Sequence, residues 1–295
     1  METTVLINRG GGSLGERGTV RQSDIRDALH EAGIDAEPQL LEGSEIRGAA
    51  KIAIAAGTKL VIAGGGDGTV GCVAGVLAGT DTVLGVLPLG TLNHFARDLC
   101  ISTDLKRAAT LIATGKSRRI DIAEVNGRSF INNSAIGLYP LMVLDREAQQ
   151  AKLGRSKRLA MALAAARILA RFHSHRLLLT VNDQRAQVDT PLLFVGNNAY
   201  QMELPDAGKR DALDRGELFV LVLRRKSRLG FFAASLRALF GRSHRDDVVR
   251  LEHVDRLRVD SRHSTLAVSL DGETVQLKPP LDYRIEKAAL KVIAP

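Results

Sequence analysis

Two stretches constrain this chain more than any others: "KLVIAGGGDGTVGCVAGVL", residues 59–77, and "TVLGVLPLGTLNHFARDL", residues 82–99. In each, a continuous apolar run of strand length breaks at glycine and passes into a helix-like pattern. An unbroken apolar strand is buried on both faces, the usual state in a parallel sheet whose crossover helices cover both sides. The same order recurs upstream. Residues 4–8 read as a strand, "RGGGSLGERG" as a glycine loop, and residues 22–32 and 46–56 as helices. The expected fold class is therefore α/β, opening with a parallel-sheet domain of nucleotide-binding type.

Beyond about residue 120 the pattern changes to strands without intervening helices. "IDIAEVNGRSFINNSAIG" carries a hairpin signal at Asn126-Gly127, and "HRLLLTVNDQRAQVDTPLLFVGNN", "ELFVLVLRR", "HVDRLRVDS", "TLAVSLDGETVQL" and "DYRIEKAALKVI" are strand-rich. The sequence thus divides into an α/β domain, 1–124, and a β-rich domain, 125–280, with residues 281–295 able to return to the first. A length of 295 residues suits two domains.

Charge matters here because of where it sits. Residues 152–176 hold seven Lys or Arg and no acid, and residues 224–250 hold eight against two acids. Together they exceed the whole net charge of +8, so the rest of the chain is net acidic. Both segments are amphipathic, and the second sets Phe231, Phe232, Leu236, Leu239 and Phe240 among arginines. That composition fits an anionic membrane surface, although such a stripe equally suits ordinary core. Nucleic acid is a poorer partner, since aromatics for base stacking make up only 4% of residues and Trp is absent. Two cysteines without metal-ligand spacing support neither a disulfide framework nor a zinc site. No apolar stretch reaches ~18 residues and no signal-like leader opens the sequence, so the expected location is cytoplasmic, peripheral at the inner membrane face.

The glycine loops carry the chemistry. Gly10-x-Gly12-x-x-Gly15 and Gly66-x-Gly68-x-x-Gly71 both fit a dinucleotide fingerprint, but neither has a persuasive ribose-binding acid, Asp35 being poorly placed. No Walker-type P-loop is present. In the loop of residues 64–70, glycines allow several N–H groups to converge on one oxyanion at a helix start, and Asp67 beside a phosphate calls for a bridging cation, Mg²⁺. Asp67-Gly68 is equally a common turn dipeptide. The second loop, with Thr91 and Asn93 at a helix mouth, shifts the balance, because loops at the carboxyl ends of neighbouring parallel strands share one crevice.

The pair "GGGDGTV" and "PLGTLNHFARDL" resembles the diacylglycerol-kinase-type lipid kinases, a family that includes sphingosine and ceramide kinases and is distantly related to NAD kinases. "VLINRGGG", "IDIAEVNGRSFINNSAIG" and "SLDGETV" extend the likeness over nearly the whole length. The resemblance implies an NAD kinase-like α/β domain followed by a β-rich domain, with ATP, Mg²⁺ and a membrane lipid as the reacting partners. It implies that Asp67 serves the nucleotide phosphates and Mg²⁺, and that Asn8, Gly65, Gly66, Gly68, Thr69, Thr91 and Asn93 bind ATP. It further implies that Glu273 takes the proton of the lipid hydroxyl, although "LDGET" read alone is an ordinary hairpin turn. The sequence departs from the family at four points. Arg9 follows Asn8 where Pro is usual, His94 stands where many members have Asp, and "PQLLEGSE" offers no nucleotide-contacting Thr. Arg215 precedes Gly216 where a structural Mg²⁺ would want Asp, leaving Asp214 as the candidate ligand. A soluble NAD kinase and a non-catalytic nucleotide- or anionic-lipid-binding protein are the alternatives.

Overall fold

The computed structural model describes residues 2–10, 12, 14, 20–137, 174–201, 209–224 and 248–295. The two basic segments fall almost wholly outside them. The chain forms two compact units, the first made of Met1–Asn132, Arg210–Gly216 and Glu286–Pro295, the second of Asn133–Lys209 and Glu217–Ile285.

The first unit alternates strand and helix as β1 (Thr3–Asn8), α1 (Gln22–Glu31), β2 (Pro38–Leu41), α2 (Gly43–Ala55), β3 (Leu60–Gly65), α3 (Asp67–Leu77), β4 (Val83–Pro88), α4 (His94–Asp98) and α5 (Leu105–Thr114). A hairpin of β5 (Lys116–Val125) and β6 (Arg128–Phe130) follows. The second unit contains β7 (Asn133–Gly137), β8 (His175–Val181), β9 (Gln184–Thr190), β10 (Leu192–Asn197), β11 (Leu218–Leu223), β12 (Val248–Val254), β13 (Arg256–Ser261), β14 (Leu266–Leu270) and β15 (Glu273–Leu277). The last strand, β16 (Leu281–Ala294), begins in the second unit and ends in the first.

In the first unit the strand order is β2-β1-β3-β4-β16, and every neighbouring pair is parallel. The reason is visible in β3, whose six residues are all buried: a strand covered on both faces needs helices on both sides. Consecutive strands lie to one side of β1 and then to the other, and a crevice is expected at the carboxyl ends of the strands where the order reverses. The helix α3 packs Val70, Val73, Ala74 and Leu77 inward. One device ties the late segments to this unit. The buried carboxylate of Asp121 accepts hydrogen bonds from the N–H groups of Gly216 (2.7 Å) and Ala288 (2.8 Å), so residues from three distant parts of the sequence meet on one anion.

The second unit is antiparallel. Six strands run in the order β12-β11-β10-β7-β14-β15, and the first residues of β16 continue through β13 to β8 and β9. Ser134 and Tyr283 share a buried hydrogen bond of 3.0 Å that links the two sheets. Burial pushes the Tyr283 hydroxyl well above the ordinary phenol range, so it remains protonated. The mixed architecture is thus the expected one, a parallel α/β unit and an antiparallel β-rich unit. Both expected two-residue turns are present, with positive φ at Asn126-Gly127 and at Asp271-Gly272. Two details differ from the sequence reading. The break between the units falls at Asn132, since β5 pairs with β16 and keeps its hairpin in the first unit. Periodicity alone does not mark β2 as a strand, because its four residues give too little alternation to register.

Leu77 is fully buried in the α3 face against the sheet. Leu77→Ala is expected to lower stability by about 2–5 kcal/mol, read as a fall in the urea midpoint with an unchanged slope.

Candidate functional site

Three loops follow the carboxyl ends of β1, β3 and β4, and hydrogen bonds join them. Asn8, the last residue of β1, donates through Nδ2 to Thr69 Oγ1 at 2.8 Å and accepts at Oδ1 from the Gly10 N–H at 3.0 Å. It therefore fixes both its own loop and the first turn of α3. Leu89 N–H donates to the Gly65 carbonyl at 3.0 Å, joining the loops after β3 and β4. Their backbones come so close that a Cβ on Gly90 would collide with the Gly66 Cα. A Cβ on Gly65 would lie 2.6 Å from Thr69 Oγ1, and one on Gly12 would lie 2.9 Å from Thr91 Oγ1. Glycine at these positions is what lets the loops nest.

Asn93 shapes the second loop from inside. It adopts a left-handed conformation (φ 51°) at the N-cap of α4 and is almost fully buried. Its Oδ1 accepts from the Gly90 N–H at 3.0 Å and its Nδ2 donates to the Gly90 carbonyl at 2.8 Å. A small amide tolerates this backbone and satisfies both polar groups of Gly90 at once. Its role here is to form the loop; Thr91 beside it is exposed.

Asp67 is the first residue of α3. Its carboxylate caps the other helix. Oδ2 accepts from the His94 N–H at 3.1 Å, and Oδ1 accepts from the Phe95 N–H at 2.9 Å and from Asn132 Nδ2 at 3.4 Å. Two of the unsatisfied N–H groups of α4 thus find an anion, the charge that a helix N-terminus favours. The N-cap of α3 is Gly66, which has no side chain with which to cap the helix. His94 contributes its backbone to Asp67, while its imidazole is exposed.

Asn132 and its support escaped the sequence reading. Arg210, whose side chain is completely buried, donates through Nε to Asp98 Oδ2 at 2.7 Å, through one terminal nitrogen to the Ile131 carbonyl at 2.6 Å and through the other to Asn132 Oδ1 at 2.7 Å. The only signal was the twin asparagine in "FINNSAIG"; Arg210, 78 residues further on, gave none.

Asp214 and Glu273 are the remaining predicted residues. Asp214 is exposed in the 210–216 segment, and among the described residues no group of three His, Cys, Asp or Glu side chains gathers to hold a metal. In the second unit Glu273 opens β15, exposed, directly opposite Leu270 across the Asp271-Gly272 turn. That turn is anchored by Asp271, whose Oδ1 accepts from the Asn133 N–H at 3.0 Å.

Residues 2–125 match the diacylglycerol kinase catalytic domain family, and residues 142–294 match the YegS C-terminal NAD kinase beta sandwich-like domain family. A diacylglycerol kinase of Bacillus subtilis (strain 168) is 30% identical over 222 residues, covering 72% of this chain and 71% of that protein. The chain belongs to the diacylglycerol kinase family. A protein described as a probable lipid kinase YegS-like, from Pseudomonas syringae pv. tomato, is 35% identical over 45% of this chain and 43% of its own length. Among solved structures, a diacylglycerol kinase of Bacillus anthracis str. Sterne shares the fold with a TM-score of 0.70 at 18% identity, covering 100% of this chain and 97% of that one. Yeast NADH kinase in complex with NADH shares it more distantly, with a TM-score of 0.55 at 12% identity over 100% and 84% of the two chains. The family resemblance and fold class read from the glycine loops are therefore correct, and the chain is a member of a kinase family.

In this family member the Gly66–Gly90 approach predicts a local effect. Gly90→Ala is expected to force the two loops apart, lowering stability by about 1–3 kcal/mol. Amide exchange should quicken at Leu89, whose N–H bonds Gly65, while α1 is left unchanged.

Proposed function

We propose that the chain is an ATP-dependent lipid kinase that transfers the γ-phosphate to a free hydroxyl of a membrane lipid such as diacylglycerol, ceramide or sphingosine. The observation that carries this reading is the joining of the glycine loops after β1, β3 and β4 around the N-terminus of α3, whose N-cap is Gly66, with the Asp67 carboxylate among them. Such a cradle suits phosphate, since backbone donors point outward and no Cβ blocks close approach. Glycines 65, 66 and 68 and Thr69 hold the ATP phosphates in this reading, with Asn8 and Asn93 keeping the loops in shape and Thr91 exposed at the mouth.

The donor set also suits Mg²⁺. Magnesium is generally held by one or two carboxylates together with phosphate oxygens and water, not by an all-protein cage. Asp67 with the nucleotide meets that requirement, and its four lone-pair sites exceed the three donors it accepts among the described residues. When bound, the ion neutralises charge on the transferring phosphoryl group. Glu273 takes the hydroxyl proton as the lipid oxygen bonds to the γ-phosphorus; the bond from that phosphorus to the β–γ bridging oxygen breaks, and ADP leaves with the electron pair.

Among the described residues no helix is long and apolar enough to cross a membrane. The proposed kinase reaches its substrate from the cytoplasm, at the inner membrane face, through the basic segments 152–176 and 224–250. The NADH kinase likeness supports a second reading with a dinucleotide as the acceptor, which the same assay separates.

The test is transfer from labelled ATP to diacylglycerol, ceramide, sphingosine, phosphatidylglycerol and NAD. Label in a lipid is the expected result; label only in NAD, or in nothing, contradicts the proposal. Glu273→Ala is expected to reduce turnover by about 10²–10⁴-fold while remaining folded, and Asp67→Ala to abolish it. Undiminished turnover in Glu273→Ala removes that residue from the reaction. Binding to anionic vesicles should weaken as salt rises from 0.05 M towards about 1 M, where charges are screened within ~3 Å; equal binding to neutral vesicles contradicts the electrostatic account.

A further inference from the structure

The buried Arg210 is joined to the phosphate-side carboxylate by a continuous set of bonds. Its guanidinium grips Asp98 at the end of α4 and the Asn132 side chain at once. Asn132 in turn donates to Asp67, and Asp67 holds the first N–H groups of α4. The bonds close into a ring: Asp67, α4, Asp98, Arg210, Asn132 and back to Asp67. A helix of five residues, too short to persist alone, is thereby clamped at both ends by charged partners.

The ring also has a direction. Guanidinium nitrogens only donate, so the group that Asn132 presents to Arg210 must be its carbonyl oxygen, and its NH₂ must face Asp67. That NH₂ reaches Oδ1, the same oxygen that accepts from Phe95. Oδ1 thus has two donors, while Oδ2 has one, from His94, among the described residues. We propose that Arg210 is a positioning residue: through Asn132 it fixes the rotation of the Asp67 carboxylate so that Oδ2 keeps an open lone pair for the nucleotide-bound cation. The inference rests on the lipid-kinase reading only for the identity of what Oδ2 meets; the ring exists without it.

A purely structural role would be felt as lost stability alone. Positioning adds three signatures. In Asn132→Ala and in Arg210→Lys, kcat at saturating ATP and Mg²⁺ should fall about tenfold or more, as expected of a misoriented reacting group, while the KM for ATP stays within about threefold. The double variant should lose no more in kcat than the worse single variant, since both act along one chain of contacts. Independently of activity, hydrogen exchange at the His94 and Phe95 amides should quicken about tenfold in each single variant, with α1 and α5 unchanged. Asn132→Ala keeps the test decisive should Arg210→Lys fail to fold. An Asn132→Ala protein with wild-type kcat, additive losses in the double variant, or unchanged exchange at residues 94 and 95 overturns the inference. A wild-type protein inactive on every acceptor contradicts the lipid-kinase reading instead, and the exchange measurement still decides the ring.

Discussion

The Asp67 carboxylate holding the His94 and Phe95 N–H groups is the interaction around which the first unit's loops are arranged. A carboxylate at the start of one helix that caps the next determines where both helices begin. It also determines where both glycine loops run, because the loop after β3 must end at Asp67 and the loop after β4 must deliver α4 to it. The Gly66–Gly90 approach, the left-handed Asn93 and the Asn8 bond to Thr69 then follow as ways of closing the remaining space. Bonds to an ionised acceptor are roughly twice as strong as neutral ones, so this anchor is the natural place for the arrangement to be rigid.

The parallel sheet supplies the frame for that anchor. Strands buried on both faces force helices onto both sides, and the change of direction at β1 opens a crevice at the carboxyl ends. The residues that line it come from segments whose apolar runs are otherwise devoted to core: β3 is buried from end to end and passes straight into the glycines. Stability and site are therefore written in the same stretch, the strand giving position and the glycines giving access. The late segments are joined by buried charges, Asp121 to the backbone of residues 216 and 288 and Arg210 to residues 98, 131 and 132, which are strong where fully satisfied and costly where broken.

Much of this was legible in the sequence for a definite reason. Strands of one apolar character and helices of one period leave local signals, and "GGGDGTV" with "PLGTLNHFARDL" marks Gly65, Gly66, Asp67, Thr69, Thr91 and Asn93 as residues of neighbouring loops at strand ends. The turns at Asn126-Gly127 and Asp271-Gly272 were equally local. What the sequence hid was whatever depended on distance. Charge-and-cation reasoning points Asp67 at a phosphate and Mg²⁺ and gives no hint that its oxygens cap α4. Arg210 looked like one more basic residue in a chain of 41 Lys and Arg, although it is completely buried. No local pattern announces a side chain whose partners lie 78, 79 and 112 residues away.

The most direct test of the account is a crystal structure with Mg²⁺ and a non-hydrolysable ATP analogue. The account predicts phosphate oxygens on the first N–H groups of α3, with the ion facing Asp67 Oδ2 directly or through one water while Oδ1 keeps its bonds to Phe95 and Asn132. A nucleotide bound away from the Gly65–Thr69 turn, or an ion held without Asp67, would contradict it.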